Sequence, residues 1–429
     1  MRLLNVHTRK LETFVASPPE YAILSHTWED EEVLYEDICR PRHELSLMKG
    51  YKKVSYSCIQ ATIDGLQYVW IDTCCIDKSS SAELSEAINS MFNWYASSKV
   101  CYAYLSDFEL PEGREDDLSG LHPCRWFRRG WTLQELIGPH HVVFFDVFWT
   151  YIGEKGTSRY GYTKDWHQPT RNLSQHLSTI TRIPQSVLNR RYPQDPETVQ
   201  ESLNDFSVSQ RMNWTANRGT SRPEDGAYCL MGLFSVNMPL LYGEGGCKAF
   251  GRLQEEILRV SRDQSIFAIY DESLFARDAS GFVHKDQSVE LVELPAARHP
   301  DGHAHVSYME SHANNTTTDM FICPLQKCQD CTEEEGRSPI VPTDLYLGIL
   351  NCALLSDLRK RPVIVLEKLR VEEQVYQKAS YLVLVMSGSM DMISVQEMHG
   401  VLELYLSRRI GHELERELLY PGHGKLGNY

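Results

Sequence analysis

An α/β fold with a mainly parallel sheet is predicted by three observations. Four short apolar runs rich in β-branched and aromatic residues lie at 21–25 (YAILS), 68–71 (YVWI), 100–105 (VCYAYL) and 142–148 (VVFFDVF). Uninterrupted runs of this kind suit strands buried on both faces. Helical patterns separate them, most clearly where Leu84, Ala87, Ile88, Met91, Phe92 and Tyr95 recur at three- and four-residue steps. Strands joined by such a crossover lie parallel. The third observation is the loop from Asp72 to Ser81, with two acids, adjacent cysteines and three consecutive serines directly after a strand. Ligands of parallel sheets bind beyond the carboxyl ends of the strands, so this loop stands where chemistry is expected.

The elements follow in order. Residues 1–6 and 11–15 read as short strands ahead of the core strand at 21–25, which ends in His26-Thr27-Trp28 and the acidic run Glu29 to Glu32. Residues 49–66 read as a helix with Val54, Cys58, Ala61, Ile63 and Leu66 on its apolar side. Serines before Glu83 are N-cap candidates, with the acid in the first turn. The acidic segment 109–122 carries Gly and Pro and reads as a loop, and residues 125–137 read as the start of another helix. Residues 155–200 are polar and irregular apart from a helical patch at 172–179; from 200 to 262 the pattern is mostly helical, including 224–234 and 249–258. Beyond about 265 come short β-like runs at 266–270, 289–293, 341–350, 362–366 and 380–386. The expected organisation is an α/β core over about 1–150, a helical extension over about 151–265, and a β-rich domain over 266–429.

Composition excludes several classes of function. The 429 residues are 42% hydrophobic and 24% charged, an ordinary globular balance. A formal charge of −15 with no basic run argues against nucleic acid or anionic membrane as partners. The N-terminal stretch lacks an apolar h-region, and apolar runs such as 381–386 fall far short of the ~20 residues of a membrane span. A soluble, cytoplasmic protein is expected. Its twelve cysteines are scattered, which suits a reducing compartment. Cys323-x4-Cys328-x2-Cys331 offers three thiolates, with His303, His305 and His312 at a spacing that fits no zinc motif, so no metal is expected.

The blocks YAILSHTW (21–28), YVWIDTCCIDKSSSAELSEAINSMFNWY (68–95), CYAYLSD (101–107), RWFRRGWTLQELIGP (125–139), RPEDGAYCLMGLFSVNMPLLYGEG (222–245) and AFGRLQEEI (249–257), in that order, resemble the HET domain of fungal heterokaryon-incompatibility proteins. The resemblance covers roughly residues 1–265. It implies a role in non-self recognition and programmed cell death when unlike fungal cells fuse. HET domains are in turn similar to TIR domains of innate immunity, which are flavodoxin-like folds, and some TIR domains cleave NAD at the nicotinamide–ribose bond. YAILSHTW looks like the first TIR strand with its Ser-bearing loop, and 83–95 with 100–105 look like the second helix and third strand. Trp131 to Leu136 looks like the tryptophan–x–x–x–glutamate–leucine motif, whose glutamate is catalytic in the NAD-cleaving members. The resemblance therefore implies a TIR-like parallel sheet with helical elaborations, Glu135 as catalytic carboxylate, and NAD as substrate rather than cofactor. It also implies self-association and a possible separate activating sensor protein.

Cleaving this bond needs little acid catalysis, because nicotinamide leaves as a neutral ring. It needs a carboxylate beside an oxocarbenium-like ribosyl cation, and ribose hydroxyls held in place. Glu135 fits the first need, with Trp131 one helical turn away to stack on a flat ring. Ser25, His26, Trp28 and Asp72 follow core strands and are the candidates for lining the pocket. Competing readings stand beside each: Glu135 as a solvated helix residue, Trp131 as core, His26 as a loop cap, Asp72 and Asp77 as turn or helix caps. Cys74 or Cys75 with His26 as base would make a thiol nucleophile, but packing under the loop explains them better. Gly243 to Gly246 faintly resembles a phosphate cradle without P-loop spacing, and a glycine turn opening a helix explains it better. Arg222, Glu224 and Asp225 are expected to form a salt-bridged helix start, with a contribution to the NAD pocket as the alternative. Arg125, Arg128 and Arg129 would meet either a pyrophosphate or acidic segments of a neighbouring copy. The rival from another class is a non-enzymatic death-signalling module acting through homotypic HET-domain contacts. A third reading is ADP-ribosyl transfer or cyclisation at the same site.

Overall fold

The computed structural model describes residues 1–15, 17–113, 117–156, 171–189, 196–261, 263–269 and 276–282, and a set of strands between 291 and 393. By internal contacts the chain divides into two units. One comprises 1–206, 211–257 and 277–280; the other comprises 207–210, 258–276 and 281–429.

The first unit is built on strands β1 (Arg2–Asn5), β2 (Leu11–Thr13), β3 (Ala22–His26), β4 (Tyr68–Trp70), β5 (Val100–Tyr104), β6 (Val142–Phe145) and β7 (Tyr151–Lys155). Their order in the sheet is β2-β1-β4-β3-β5-β6-β7. The central four, β4-β3-β5-β6, are parallel. Every residue of β3, β5 and β6 is buried, as the uninterrupted apolar runs predict for strands covered on both faces. The sheet is mixed rather than parallel throughout. β1 pairs antiparallel with both β2 and β4, and β7 pairs antiparallel with β6. The connections 6–10 and 146–150 are too short for a crossover, so β1–β2 and β6–β7 close as hairpins.

Helices α1 (Arg42–Leu45), α2 (Tyr51–Ile63), α3 (Ser81–Ala96) and α4 (Thr132–Ile137) connect the strands. α2 packs on β3 and β4, α4 packs on β3, and α3 packs on α4. The α3 start follows the capping expectation. Ser80 Oγ accepts from Glu83 N at 3.3 Å, and Glu83 Oε1 reaches back to accept Asp77 N at 2.9 Å, which ties the 72–80 loop to the helix. Two expected helices are broken. Residues 125–137 form a 3₁₀ turn (Arg125–Arg128) and then α4, because Gly130 lies between them. A Cβ on Gly130 would meet Thr220 Cγ2 at 2.6 Å and Cys229 Sγ at 3.0 Å, so a larger residue would have to displace these side chains. Residues 224–234 split into Asp225–Tyr228 and a 3₁₀ turn at Met231–Phe234.

In the second unit, the β-like run expected at 266–270 is instead a 3₁₀ turn, Gln264–Phe267, whose N-cap Asp263 accepts from Ser265 N at 2.8 Å. Local capping overrides the apolar run there. The described residues beyond it include strands Leu345–Ile349, Lys360–Arg370 and Val383–Ser389, part of a largely antiparallel sheet. Of the thiol cluster, Cys323 lies in the strand Thr316–Pro324, and Cys328 and Cys331 fall outside the described residues. Among the described residues no helix is long and apolar enough to cross a membrane.

Candidate functional site

The site is organised by the carboxyl end of β3, where successive side chains point to opposite faces. Ser25 turns toward α4. Its Oγ accepts the Trp126 indole N–H at 2.8 Å and donates to Glu135 Oε2. Glu135 is 7% exposed, so the solvated-helix reading of this residue fails. Burial pushes its carboxyl up to about 8; Asp72 pushes the same way, while Ser25 and Arg129 oppose. Tyr95 also adjoins the carboxyl, but its own proton goes to Leu24 O at 3.0 Å. Its nearness to the carboxyl, like that of Ser25, favours the ionised form and works against burial. The segment leading into α4 is fastened by Thr132 Oγ1, which donates to Trp126 O and receives Arg218 Nη1 at 2.9 Å.

His26 turns toward α2 and β4. Its ring is almost completely enclosed, with Nδ1 3.8 Å from Asp72 Oδ1 and Nε2 3.9 Å from Glu32 Oε2. Burial, then the charges of Lys53, Arg129 and Lys78, hold its pKa well below the ordinary value, so it is neutral. It does not cap a loop, because neither ring nitrogen has a hydrogen-bond partner. Trp28 is held over this end of the sheet by its indole N–H on Asp72 Oδ2 at 2.7 Å. The Lys78 ammonium lies 3.5 Å from its ring centroid and the Arg129 guanidinium 6.0 Å. Asp72 thus orients an aromatic ring rather than capping a turn, whereas Asp77 does cap, accepting Ser79 N at 3.0 Å.

Trp131 is half-buried, and its indole N–H reaches Asp225 Oδ2 at 3.3 Å. Tyr242 donates to the other Asp225 oxygen at 3.0 Å, with the Arg222 guanidinium 4.4 Å above the Tyr242 ring. The extension is therefore a clasp on the segment that precedes α4. Glu224 and Asp225 are not spent on a salt-bridged helix start: Glu224 Oε1 accepts Gly243 N at 2.9 Å and Gly245 N at 3.0 Å. Both glycines adopt positive φ, 99° and 88°, which turns their amides inward. An internal carboxylate thus occupies the nest that a phosphate would take, and Gly246–Val260 follows as the helix that the turn opens.

Ser25 and Glu135 are thus in contact, His26, Trp28 and Asp72 form a second group, and Trp131 belongs to the clasp. Arg129 links the first two groups electrostatically. Sequence reasoning missed Trp126, Tyr95, Lys78 and Glu32 as members. Each lies within or beside a block quoted above, but its role depends on a partner far along the chain. Cys74 and Cys75 are both buried, as packing under the loop requires, and the hydrogen bond with Cys75 together with burial raises the Cys74 pKa well above the thiol value, so Cys74 is no nucleophile. Arg125 is paired with Glu29 at 2.9 Å, while Arg128 is exposed. Among the described residues no group of three or more His, Cys, Asp or Glu is placed to hold a metal ion.

Residues 21–119 match the family described as heterokaryon incompatibility protein (HET). The chain is 44% identical over 245 residues to the vegetative incompatibility protein HET-E-1 of Podospora anserina, a match covering 56% of this chain and 16% of that protein. The chain thus spans only a small part of that relative's length. No solved structure matches it. This chain carries a heterokaryon-incompatibility (HET) domain.

Proposed function

We propose that the protein is a cytoplasmic cell-death effector of heterokaryon incompatibility that, once self-associated, hydrolyses NAD at the nicotinamide–ribose bond. The observation that carries this reading is the buried Glu135 carboxyl held by Ser25 at the end of a central parallel strand. The likeness to HET-E-1 supports the incompatibility role. A TIR-like core is supported by the order of the four parallel strands, which in chain order is 2-1-3-4, the start of the flavodoxin-like order. In the reaction the C1′–N bond breaks, its electron pair leaves with nicotinamide, and the ribosyl cation is stabilised by ionised Glu135. Water adds at C1′ and its proton is released, giving ADP-ribose, nicotinamide and H⁺.

The test is nicotinamide release by the purified chain, alone and fused to a forced oligomeriser, for wild type beside Glu135→Ala. Cleavage lost with the substitution supports the reading; NAD left intact by folded, oligomerised wild type removes it. Because the working form is ionised, kcat/KM is expected to rise nearly tenfold per pH unit up to about 8 and then level. The Ser25 hydrogen bond favours the carboxylate, so Ser25→Ala is expected to move that profile to higher pH. A profile flat from pH 6 to 9, or one unmoved in Ser25→Ala, counts against Glu135.

The closure of Glu135 also favours a second reading, in which Trp126, Ser25 and Glu135 form a strut and the domain acts by recruiting copies of itself. Toxicity would then survive Glu135→Ala and be lost on substituting exposed Arg128.

A further inference from the structure

Helix α2 turns an apolar stripe to solvent. Lys52, Tyr56, Ile59 and Ile63 recur at steps of four, three and four, which sets them on one face, opposite the buried Val54, Ser57, Cys58 and Ala61. Ile59 and Ile63 are 50% and 52% exposed. Beside the stripe stands the turn between β6 and β7. Trp149 there adopts φ 67°, a left-handed backbone that is costly for a bulky residue. Its ring stacks on Phe145 at 4.6 Å and meets Tyr56 at 5.3 Å, while the neighbouring Phe148 stays 59% exposed. Lys52 ties this turn to the helix: its ammonium donates to Val147 O at 3.2 Å and lies 5.6 Å from the Phe148 ring centroid. Apolar side chains gathered on one outward face, rather than scattered singly, mark a contact surface.

The charges at the ends of the stripe select what covers it. The N-terminal end carries Lys52 with Phe148, and the C-terminal end carries Ile63 with Asp64. Each end is complementary to the other and not to itself. Reversing the chain direction maps the stripe onto itself, position 52 onto 63 and 56 onto 59. A second copy related by a two-fold axis therefore offers Lys52 an acid, and offers Phe148 and Tyr56 an isoleucine each, on both sides of the axis. Antiparallel helices also bring unlike macrodipole ends together. A parallel arrangement would set Lys52 against Lys52.

We propose that the α2 face, with Phe148, is the contact through which two copies of this chain pair about a two-fold axis. Lys52 of each copy faces Asp64 of the other, and Tyr56 packs on Ile59. A helix of 13 residues is about 20 Å long, so the contact belongs among small, weak interfaces, below about 1,200 Å² in total. It supplies the self-association of the proposed effector, and only that role rests on the NAD reading.

The test is sedimentation velocity of the full chain over a range of concentrations. Wild type is expected to pass from monomer to dimer, with the dimer weakened by salt. Every substitution enters a two-fold contact twice, so Lys52→Glu should weaken the dimer about tenfold, and adding Asp64→Lys should restore it. Ile59→Glu should abolish it. Ile59 is already half-exposed, so the fold tolerates the change, and melting temperatures check every variant. A wild type that stays monomeric overturns the contact. So does a dimer unmoved by Ile59→Glu, or a folded double variant no tighter than Lys52→Glu alone. NAD cleavage on the same samples keeps the two ideas apart. Cleavage without an α2 dimer removes this contact and leaves the hydrolase; an α2 dimer with NAD intact even after forced oligomerisation does the reverse.

Discussion

Replacing Glu135 by Gln is expected to abolish NAD cleavage while making the protein more stable at pH 8. The folded state holds the Glu135 proton up to about pH 8, whereas the ordinary glutamate value is 4.5. Between those values the native state keeps a proton that the unfolded chain releases, so stability falls as pH rises and levels off above about 8. The loss accumulates to something on the order of 3–5 kcal/mol. Gln has the same shape and no charge to desolvate. Its oxygen accepts the Ser25 hydroxyl. Wild type and Glu135→Gln should therefore melt within a degree or two of each other near pH 5. They should diverge by roughly 5–10 °C by pH 8.5, the variant melting higher. Cleavage should fall at least about a thousandfold, the usual scale for losing charge stabilisation at a reacting centre. Equal melting temperatures at pH 8.5 would show that Glu135 is not a buried neutral acid, whatever its part in catalysis. Stability given up at a reacting group is a common signature of function.

The central sheet was legible because its strands are buried on both faces, and that burial is written locally as apolar runs at 22–26, 68–70, 100–104 and 142–145. The mixed character of the sheet was less visible. It depends on how short the 146–150 connection is, not on the composition of β7. The run at 266–270 misled because Asp263 caps a turn there, and period alone does not separate a buried turn from a strand. At the site, Ser25, His26, Trp28 and Asp72 could be named because each stands at or just beyond the carboxyl end of a core strand. Their partnerships could not: Ser25 meets Glu135 110 residues away and Trp28 meets Asp72 44 residues away. Nothing in α4 foretold the burial of Glu135, because its cover comes from Tyr95, Ser25 and Trp126 on other elements. The clasp was least legible. Glu224 and Asp225 look like an ordinary acidic helix start, and their use as acceptors for glycine amides and an indole appears only when the chain folds back.

Asp225→Ala is expected to lower NAD turnover by 10- to 100-fold while costing only about 1–2 kcal/mol of stability. The two effects differ because of where Asp225 acts. The substitution strands the Trp131 indole N–H and the Tyr242 hydroxyl, 3.3 and 3.0 Å from the lost oxygens. Both groups lie near the surface, so water replaces much of what is lost and the fold survives. Turnover has no such substitute. Trp131 lies one turn before Glu135, and Trp131 O is 3.5 Å from the Glu135 amide. A released Trp131 lets the start of α4 shift, and a displacement of about 1 Å at a reacting carboxylate suffices for a hundredfold loss. Asp225→Asn keeps an acceptor for the indole and a donor for the tyrosine oxygen, so it should stay within about threefold of wild type. If Asp225 works by holding the indole, Trp131→Phe should reproduce the loss, and the double variant should be no worse than the poorer single one. Additive losses would separate Asp225 from Trp131 and leave the clasp as a stabilising contact alone.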